Sequence, residues 1–540
     1  MGACAVVLAV YVALAFVNSP RGFLGTDTGA KVATLRVMDH RHRPLDPDVG
    51  YWAERWDPTG RLHPLYQTAR IGHRWVVVTT LPALLLGEQL YRVGGYRLSL
   101  ALPMLGSLFA ALAARSLARR LGGGEGWWAF WLVALGSPLA LYAVDFWEHS
   151  IGVALMAWAV VLLLDVGRGS AGWRAAAGAG LLFGAAATLR QEAYVYAAVA
   201  VAAASLWLLI RRRRLVPVVA VGVAAAVAFA VPLAGNQALE RATLGGTLRS
   251  QRVSYSTAGT LGTPTGTRVQ EAALTAVGLF PDLDGRSYFV GAALLLLLLF
   301  TARAGPRPDR VGLAAVAAVG VGALYALRFS DGFGFVPGLI AATPFAAVGL
   351  AWAHRSAAAR FLAGAAVLSL PLVWAFQFPG GASPQWAGRY ILVSGFLLGV
   401  LGIASVGTVP RWAGVVFTAA ALAVTGFGLG WLTVRSHDVA RAAVALDRRP
   451  EPVLVSRIAH LAREVGASYG KKRWLTAVTD DDQRSAVTVL REASVREFGL
   501  VTLNPRTGPA VLDGYGRSGT SQVRFFSGVS LRVTTYRAQQ

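Results

Sequence analysis

The feature that most constrains this chain is a series of long apolar runs that carry almost no charge. The run 194–210 holds no charged residue and is just long enough to cross a hydrocarbon core of ~30 Å as a helix. Comparable blocks lie at 95–114, 127–142, 150–165, 173–189 and 216–234, and again at 287–301, 311–327, 335–352, 361–377, 390–407 and 412–433. A water-soluble helix confines its apolar residues to one stripe, whereas these blocks are apolar all round. A transmembrane β-barrel would show short alternating segments, so the expected spans are helices, which satisfy their own backbone groups in lipid.

The formal net charge is +23, a value that also suits a nucleic-acid binder. Its placement argues against that class. Arg115, Arg119 and Arg120, then Arg211 to Arg214, then Arg303, Arg307 and Arg310, then His354, Arg355 and Arg360 all stand at the ends of apolar blocks. Cytoplasmic loops collect Lys and Arg in this way. The single cysteine, Cys4, excludes an internal disulfide framework and a thiolate metal cluster. Abundant Ala, Gly, Val and Arg with little Lys suggests a GC-rich bacterial genome. The N-terminus lacks a basic n-region, so 6–17 reads as a retained first helix and not a cleaved signal.

The arginine run 211–214 is placed in the cytoplasm, and each crossing then flips the side. Counting in both directions gives an all-α polytopic transmembrane helix bundle of about thirteen spans, occupying 1–435. The first loop, 18–74, faces outward if 75–92 is an interfacial or half-inserted helix, the favoured reading; as a full span, 75–92 would put that loop in the cytoplasm. From 436 to 540 the apolar blocks stop. Short β-like runs at 452–456, 473–478 and 498–503 alternate with helical stretches at 457–466 and 481–494, which suggests a small extracytoplasmic α/β domain. Asp480, Asp481 and Asp482 open one of these helices, where carboxylates cap free N–H groups.

Charged groups at the outer edge of a helical bundle are costly and so mark candidate sites. Four clusters face outward on this topology. Asp27 lies in Gly25-Thr26-Asp27-Thr28-Gly29, where a partly desolvated carboxylate can accept a hydroxyl proton; a plain Asx turn is the alternative. Asp145, Glu148 and His149 lie about one turn apart at the mouth of the next span, and can orient an acceptor, share a proton, ligate a metal or simply cap the loop. Arg190 and Glu192, with Gln191 between them, end another span. An outward arginine runs against the positive-inside trend and suits phosphate, with a salt bridge to Glu192 as the competing reading. Trp386, Arg389 and Tyr390 stand in Gln385-Trp386-Ala387-Gly388-Arg389-Tyr390, where Arg389 can clamp phosphate and the rings can stack on sugar or sit in the interfacial aromatic belt. Asp46 and Asp48 are further candidates for a divalent ion with a diphosphate. No P-loop, zinc-ligand pair or nucleophile elbow occurs.

An acidic residue in the first outer loop, an acidic cluster opening a later span, and many helices followed by an outer domain together resemble the C-type glycosyltransferase superfamily. The segment 385–390 resembles a Trp-Gly-x-Arg-Tyr stretch of bacterial members. The resemblance implies a glycosyltransferase, of hexosyl or pentosyl type, that moves a sugar from a polyprenyl-phosphate carrier to an envelope glycan, lipid or protein at the outer face of the plasma membrane. It maps the catalytic base onto Asp27, although many members carry Asp-Glu or Asp-x-Asp there, which leaves Asp46 and Asp48 as substitutes. Single-step displacement implies inversion, with no cofactor and no required metal, because guanidinium can neutralise a monophosphate leaving group. The expected partners are the lipid-linked donor, the acceptor and membrane lipid, with no nucleic acid. Two rivals come from other classes. One is a transporter or flippase of a lipid-linked saccharide, which usually shows duplicated halves and midplane polar groups. The other is a membrane-anchored interaction protein presenting its outer domain.

Overall fold

The structure is a computed structural model. It describes residues 2–248, 337–353, 355–376, 386–408, 410–526 and 528–539, together with 268, 272, 275 and 276. The chain divides into two compact units. The first comprises Met1–Val12, Ala101–Gln237 and Val253–Leu429; the second comprises Ala13–Leu100, Ala238–Arg252 and Gly430–Gln540.

The first unit is helical. After α1 (Gly2–Val17) it holds α4 (Ala101–Arg120), α5 (Trp127–Leu135), α6 (Pro138–Ala143), α7 (His149–Gly167), α8 (Trp173–Leu189), α9 (Ala193–Arg212) and α10 (Leu215–Leu244). Later come α11 (Leu339–Ala342), α12 (Phe345–Trp352), α13 (Ala357–Phe376), α14 (Leu392–Ala404) and α15 (Arg411–Asp447), whose second half, like the ends of α1 and α10, belongs to the second unit. Six helices among the described residues, α4, α7, α9, α10, α13 and α15, are long and apolar enough to cross a membrane. The chain is accordingly a multi-pass membrane protein. The expected count of about thirteen spans is not reached among the described residues. Blocks 127–142 and 335–352 are each broken in two, at Gly136-Ser137-Pro138 and at Thr343-Pro344, because proline opens a new helix more readily than it continues one. Blocks 287–301 and 311–327 lie outside the described residues, as do His354, Arg303, Arg307 and Arg310.

Lipid supplies no hydrophobic drive between helices, so close backbone approach through small residues becomes important. The segment Gly180-Leu181-Leu182-Phe183-Gly184 of α8 shows this. A Cβ at Gly180 or Gly184 would run into the carbonyls of Ala225 and Phe229 on α10. Gly349 of α12 and Gly402 of α14 likewise meet the carbonyls of Leu398 and Phe345. α7, the most enclosed span, packs on α4, α8 and α9.

The second unit has α2 (Thr26–His40), a hairpin of β1 (Thr68–Ile71) and β2 (Arg74–Val77), and α3 (Leu81–Ser99), which is kinked at Gly94 and Gly95. α3 covers the stretch read as interfacial and is not among the six candidate spans. The C-terminal part holds β3 (Val453–Ser456), the short α16 (Leu461–Glu464), β4 (Arg473–Thr476), α17 (Asp480–Glu492) and β5 (Glu497–Leu503), then β6 (Val511–Leu512), β7 (Tyr515–Phe526) and β8 (Val529–Ala538). These strands form one mixed sheet in the order β4-β3-β5-β8-β7-β6, with β3 parallel to β4 and β5 and the remaining pairings antiparallel. α17 opens with a capping box between Thr479 and Asp482, so the acidic run serves the helix start as the sequence suggests. The unit's core joins Trp474, Phe498 and Tyr536 of the sheet with Tyr51, Leu62 and Trp75 of the first loop. Trp52 donates from Nε1 to the carbonyl of Trp474 at 2.9 Å.

Candidate functional site

Eight of the side chains singled out in the sequence stand in the helical unit at helix ends. α6 stops at Ala143, and a short connection carries Asp145, Trp147 and Glu148 to His149, the first residue of α7. The α8 backbone turns extended at Arg190 and Glu192 caps α9. Before α14 the chain passes through two left-handed residues, Ala387 and Gly388, both with φ of 62°, and enters a single 3₁₀ turn, Arg389–Ile391. A left-handed alanine costs of order 1–3 kcal/mol and persists only where its surroundings hold it. Here its N–H donates to the carbonyl of Pro337 at 2.7 Å, and the turn sets the direction of Arg389.

Three aromatic rings tie these ends together. Tyr142 lies nearly parallel to His149, centroids 5.0 Å apart, and stacks on Trp147 at 5.6 Å. Its hydroxyl donates to the carbonyl of Trp386 at 2.8 Å. The Arg389 guanidinium sits over Trp147 at 5.3 Å and over Tyr390 at 4.6 Å, and donates from Nη2 to the Tyr390 hydroxyl at 2.6 Å. Arg190 lies over the same Tyr390 ring at 4.8 Å. One tyrosine ring thus brings two guanidinium groups into a shared neighbourhood, where cation–π attraction offsets part of their mutual repulsion.

Arg190 is 4 % exposed. Its Nε donates to Glu192 Oε1 at 2.9 Å, and its Nη1 lies 3.7 Å from Glu148 Oε1. The competing reading of Arg190 as a salt-bridge partner of Glu192 therefore describes a contact that is present. Arg190 Nη2 and Glu192 Oε2 are buried without a hydrogen bond, so the guanidinium retains a donor for an anion. A Cβ at Gly152 would lie 2.8 Å from Arg190 Cγ; the bare glycine on α7 lets the arginine lie flat against that helix. Asp145, Glu148, His149, Glu192, Trp386 and Arg389 are buried as well, and Tyr390 is half-buried.

Asp27 belongs to the second unit, in the first turn of α2. Its Oδ1 accepts from Arg463 Nη2 at 3.0 Å, and its side chain is 30 % exposed. Arg463 Nη1 also donates to the Tyr66 carbonyl and to Gln67 Oε1. Close approach of two backbones creates this pair: a Cβ at Gly29 would collide with the Arg463 carbonyl, and one at Gly466 with that of Gly29. His460 meets the Tyr66 ring edge-on at 4.8 Å. Burial and the neighbouring Arg463 charge hold its imidazole below the usual histidine range, against the opposing pull of Asp27. Sequence reasoning missed Arg463 and His460, because 436 positions separate Arg463 from its carboxylate.

Asp46 and Asp48 are engaged elsewhere. Asp46 receives Arg74 Nε at 3.0 Å, while Asp48 receives Arg41 and the backbone N–H groups of Gly50 and Trp75. Among the described residues no group of three His, Cys, Asp or Glu side chains is placed to hold a metal ion.

No protein-family model matches the chain, and no curated protein matches it. Among solved structures it is similar to ArnT from Cupriavidus metallidurans bound to undecaprenyl phosphate, with 13% identity over 98% of each chain and a TM-score of 0.47. It is similar to the same protein in the apo state at 12% identity, again over 98% of each chain, with a TM-score of 0.48. The oligosaccharyltransferase of Archaeoglobus fulgidus in complex with Zn and sulfate is 11% identical over 92% of this chain and 67% of its own, with a TM-score of 0.46.

Proposed function

We propose that this chain is a membrane glycosyltransferase that takes a sugar from a polyprenyl-phosphate carrier and delivers it to a cell-envelope acceptor at the outer face. The observation that carries this reading is the pairing of Arg190 and Arg389 about the Tyr390 ring, buried at the ends of apolar helices. Buried arginine at a helix end within a membrane protein marks a ligand site, and the guanidinium fork suits phosphate oxygens. Glu148 and Glu192 hold Arg190 in place when no phosphate is present. The phosphate then takes up the remaining donors.

In the proposed reaction an acceptor hydroxyl oxygen bonds to the anomeric carbon as the bond from that carbon to the phosphate oxygen breaks. The electron pair leaves with the carrier phosphate, where the two guanidinium groups meet the developing charge. The hydroxyl proton passes to a carboxylate, which the family resemblance assigns to Asp27. Asp145, Glu148 and His149 orient the acceptor. A single displacement inverts the sugar and needs no metal.

Purified protein titrated with polyprenyl phosphate, with binding followed by calorimetry, tests the donor site. Arg389→Ala weakens binding by roughly 10-fold or more, the loss expected of a charge-assisted contact, while Asp27→Asn binds as the wild type does. Equal affinity for Arg389→Ala and wild type would remove the donor site from this cluster.

A further inference from the structure

A second concave place lies wholly within the second unit. A cleft of about 1230 Å³ is bounded by the end of α2, the loop 49–52, α3 at Tyr91, and the segment 469–474 that leads into β4. It exceeds the ~300–1,000 Å³ of ordinary small-molecule pockets, so it has room for several sugar rings.

Its charge is one-sided. Arg36, Arg41, Lys471, Lys472 and Arg473 line it against the single carboxylate of Asp39. Arg41 and Lys471 are partly neutralised, by Asp48 at 3.2 Å and Asp447 at 3.3 Å. The others are not. Arg36 donates to the Ala467 carbonyl, and Lys472 to the carbonyls of Arg449 and Glu451. Carbonyls satisfy these donors without cancelling their charge. Arg473 rests over the Trp52 ring at 5.5 Å, which again leaves its charge intact.

The walls are aromatic as well as basic. Trp52 is half-buried, and its ring is fixed by the bond to the Trp474 carbonyl. Tyr91 and Tyr469 are half-buried on the same cleft. Rigid rings offer flat apolar faces to sugar rings at small entropic cost. A lipid surface would meet a flat or convex basic patch, whereas this one is concave.

We propose that this cleft binds an anionic saccharide, its negative group held by Arg36, Lys472 and Arg473 and its rings laid against Trp52. The proposal goes beyond the donor reading and does not rest on it, since binding requires no sugar transfer.

The test is calorimetric titration of the full-length protein in zwitterionic-lipid nanodiscs. The probes are a tetrasaccharide carrying one phosphate monoester, its dephosphorylated twin, glycerol phosphate as a lipid-headgroup stand-in, and inorganic phosphate. The phosphorylated tetrasaccharide binds, and removal of its phosphate weakens binding about tenfold. Arg473→Glu, at an exposed position, erases that difference at an unchanged melting temperature. Trp52→Ala weakens both saccharides alike. Equal binding of the phosphorylated form by wild type and Arg473→Glu overturns the proposal. So does binding of glycerol phosphate or inorganic phosphate as tight as that of the tetrasaccharide, which would make the cleft a site for headgroups or bare anions.

Discussion

Asp27 and His63 show how differently two polar side chains of one unit can be placed. Asp27 keeps partial exposure beside Arg463, so its carboxylate is oriented and still reachable. On the proposed mechanism Asp27→Asn lowers turnover by ~10²–10⁴-fold, the usual reach of a general base, and leaves the donor KM nearly unchanged. Steady-state transfer assays check this, and turnover close to wild type would end the base assignment. His63 is buried between Tyr51 and Trp75, and burial pushes its pKa down to about 4, against the contact of its Nε2 with the Gly50 carbonyl, which favours the charged form. The unfolded chain protonates this imidazole near pH 6.5, before the folded protein does. Its contribution to stability is therefore whole above about pH 6.5 and is lost as the pH falls towards 4, by about 3 kcal/mol in all. Melting curves between pH 7.5 and 4.5 should show His63→Gln losing less stability on acidification than wild type does. Parallel curves would contradict the assignment. The sequence made Arg190 and Arg389 conspicuous because outward arginines oppose the topological trend. Nothing in it could reveal that Tyr142 and Trp147 bind their loops together, since rings at such places also serve as interfacial belt.

Among the described residues, most helices were readable from their apolar blocks, because an apolar run of span length has few alternatives in lipid. Their interruptions were harder to see. Ser137-Pro138 and Thr343-Pro344 break helices within continuous apolar sequence, and hydropathy is blind to a break that neighbouring helices cover. The short apolar runs of β3, β4 and β5, set between helical stretches, were legible, whereas β7 and β8 were not read at all. The outer face of β7 is polar and glycine-rich, so its alternation is faint, and only pairing with β8 gives it shape. Glycines govern helix approach in the membrane part. Gly184→Val would thrust a branched side chain at the Phe229 carbonyl and should destabilise the protein by ~1–3 kcal/mol, the usual range for overpacking. Gly222→Ala on α10 meets nothing within 4 Å and serves as the control. Thermal unfolding in detergent distinguishes them, and equal melting temperatures would show that this helix contact is slack.

For the whole molecule, the boundary expected at 435–436 falls inside α15, which runs on to Asp447. The second unit combines that C-terminal segment with the first loop, a partnership between chain ends that local patterns do not announce. The proposed sidedness places this unit outside. After Cys4→Ser, a cysteine introduced as Ser518→Cys on exposed β7 should react with a membrane-impermeant maleimide on intact cells. Reaction only after lysis would place the sheet in the cytoplasm and reverse every outward assignment. The central claim, that the molecule transfers sugar from a lipid phosphate, is tested most directly in proteoliposomes supplied with a panel of labelled polyprenyl-phosphate sugars and envelope acceptors. The account predicts label on an acceptor with at least one donor, inverted at the anomeric carbon and absent with Arg389→Ala at equal insertion. Movement of the intact lipid-linked saccharide between leaflets, with no transfer from any donor, would contradict it and make the arginines contacts of a translocation path.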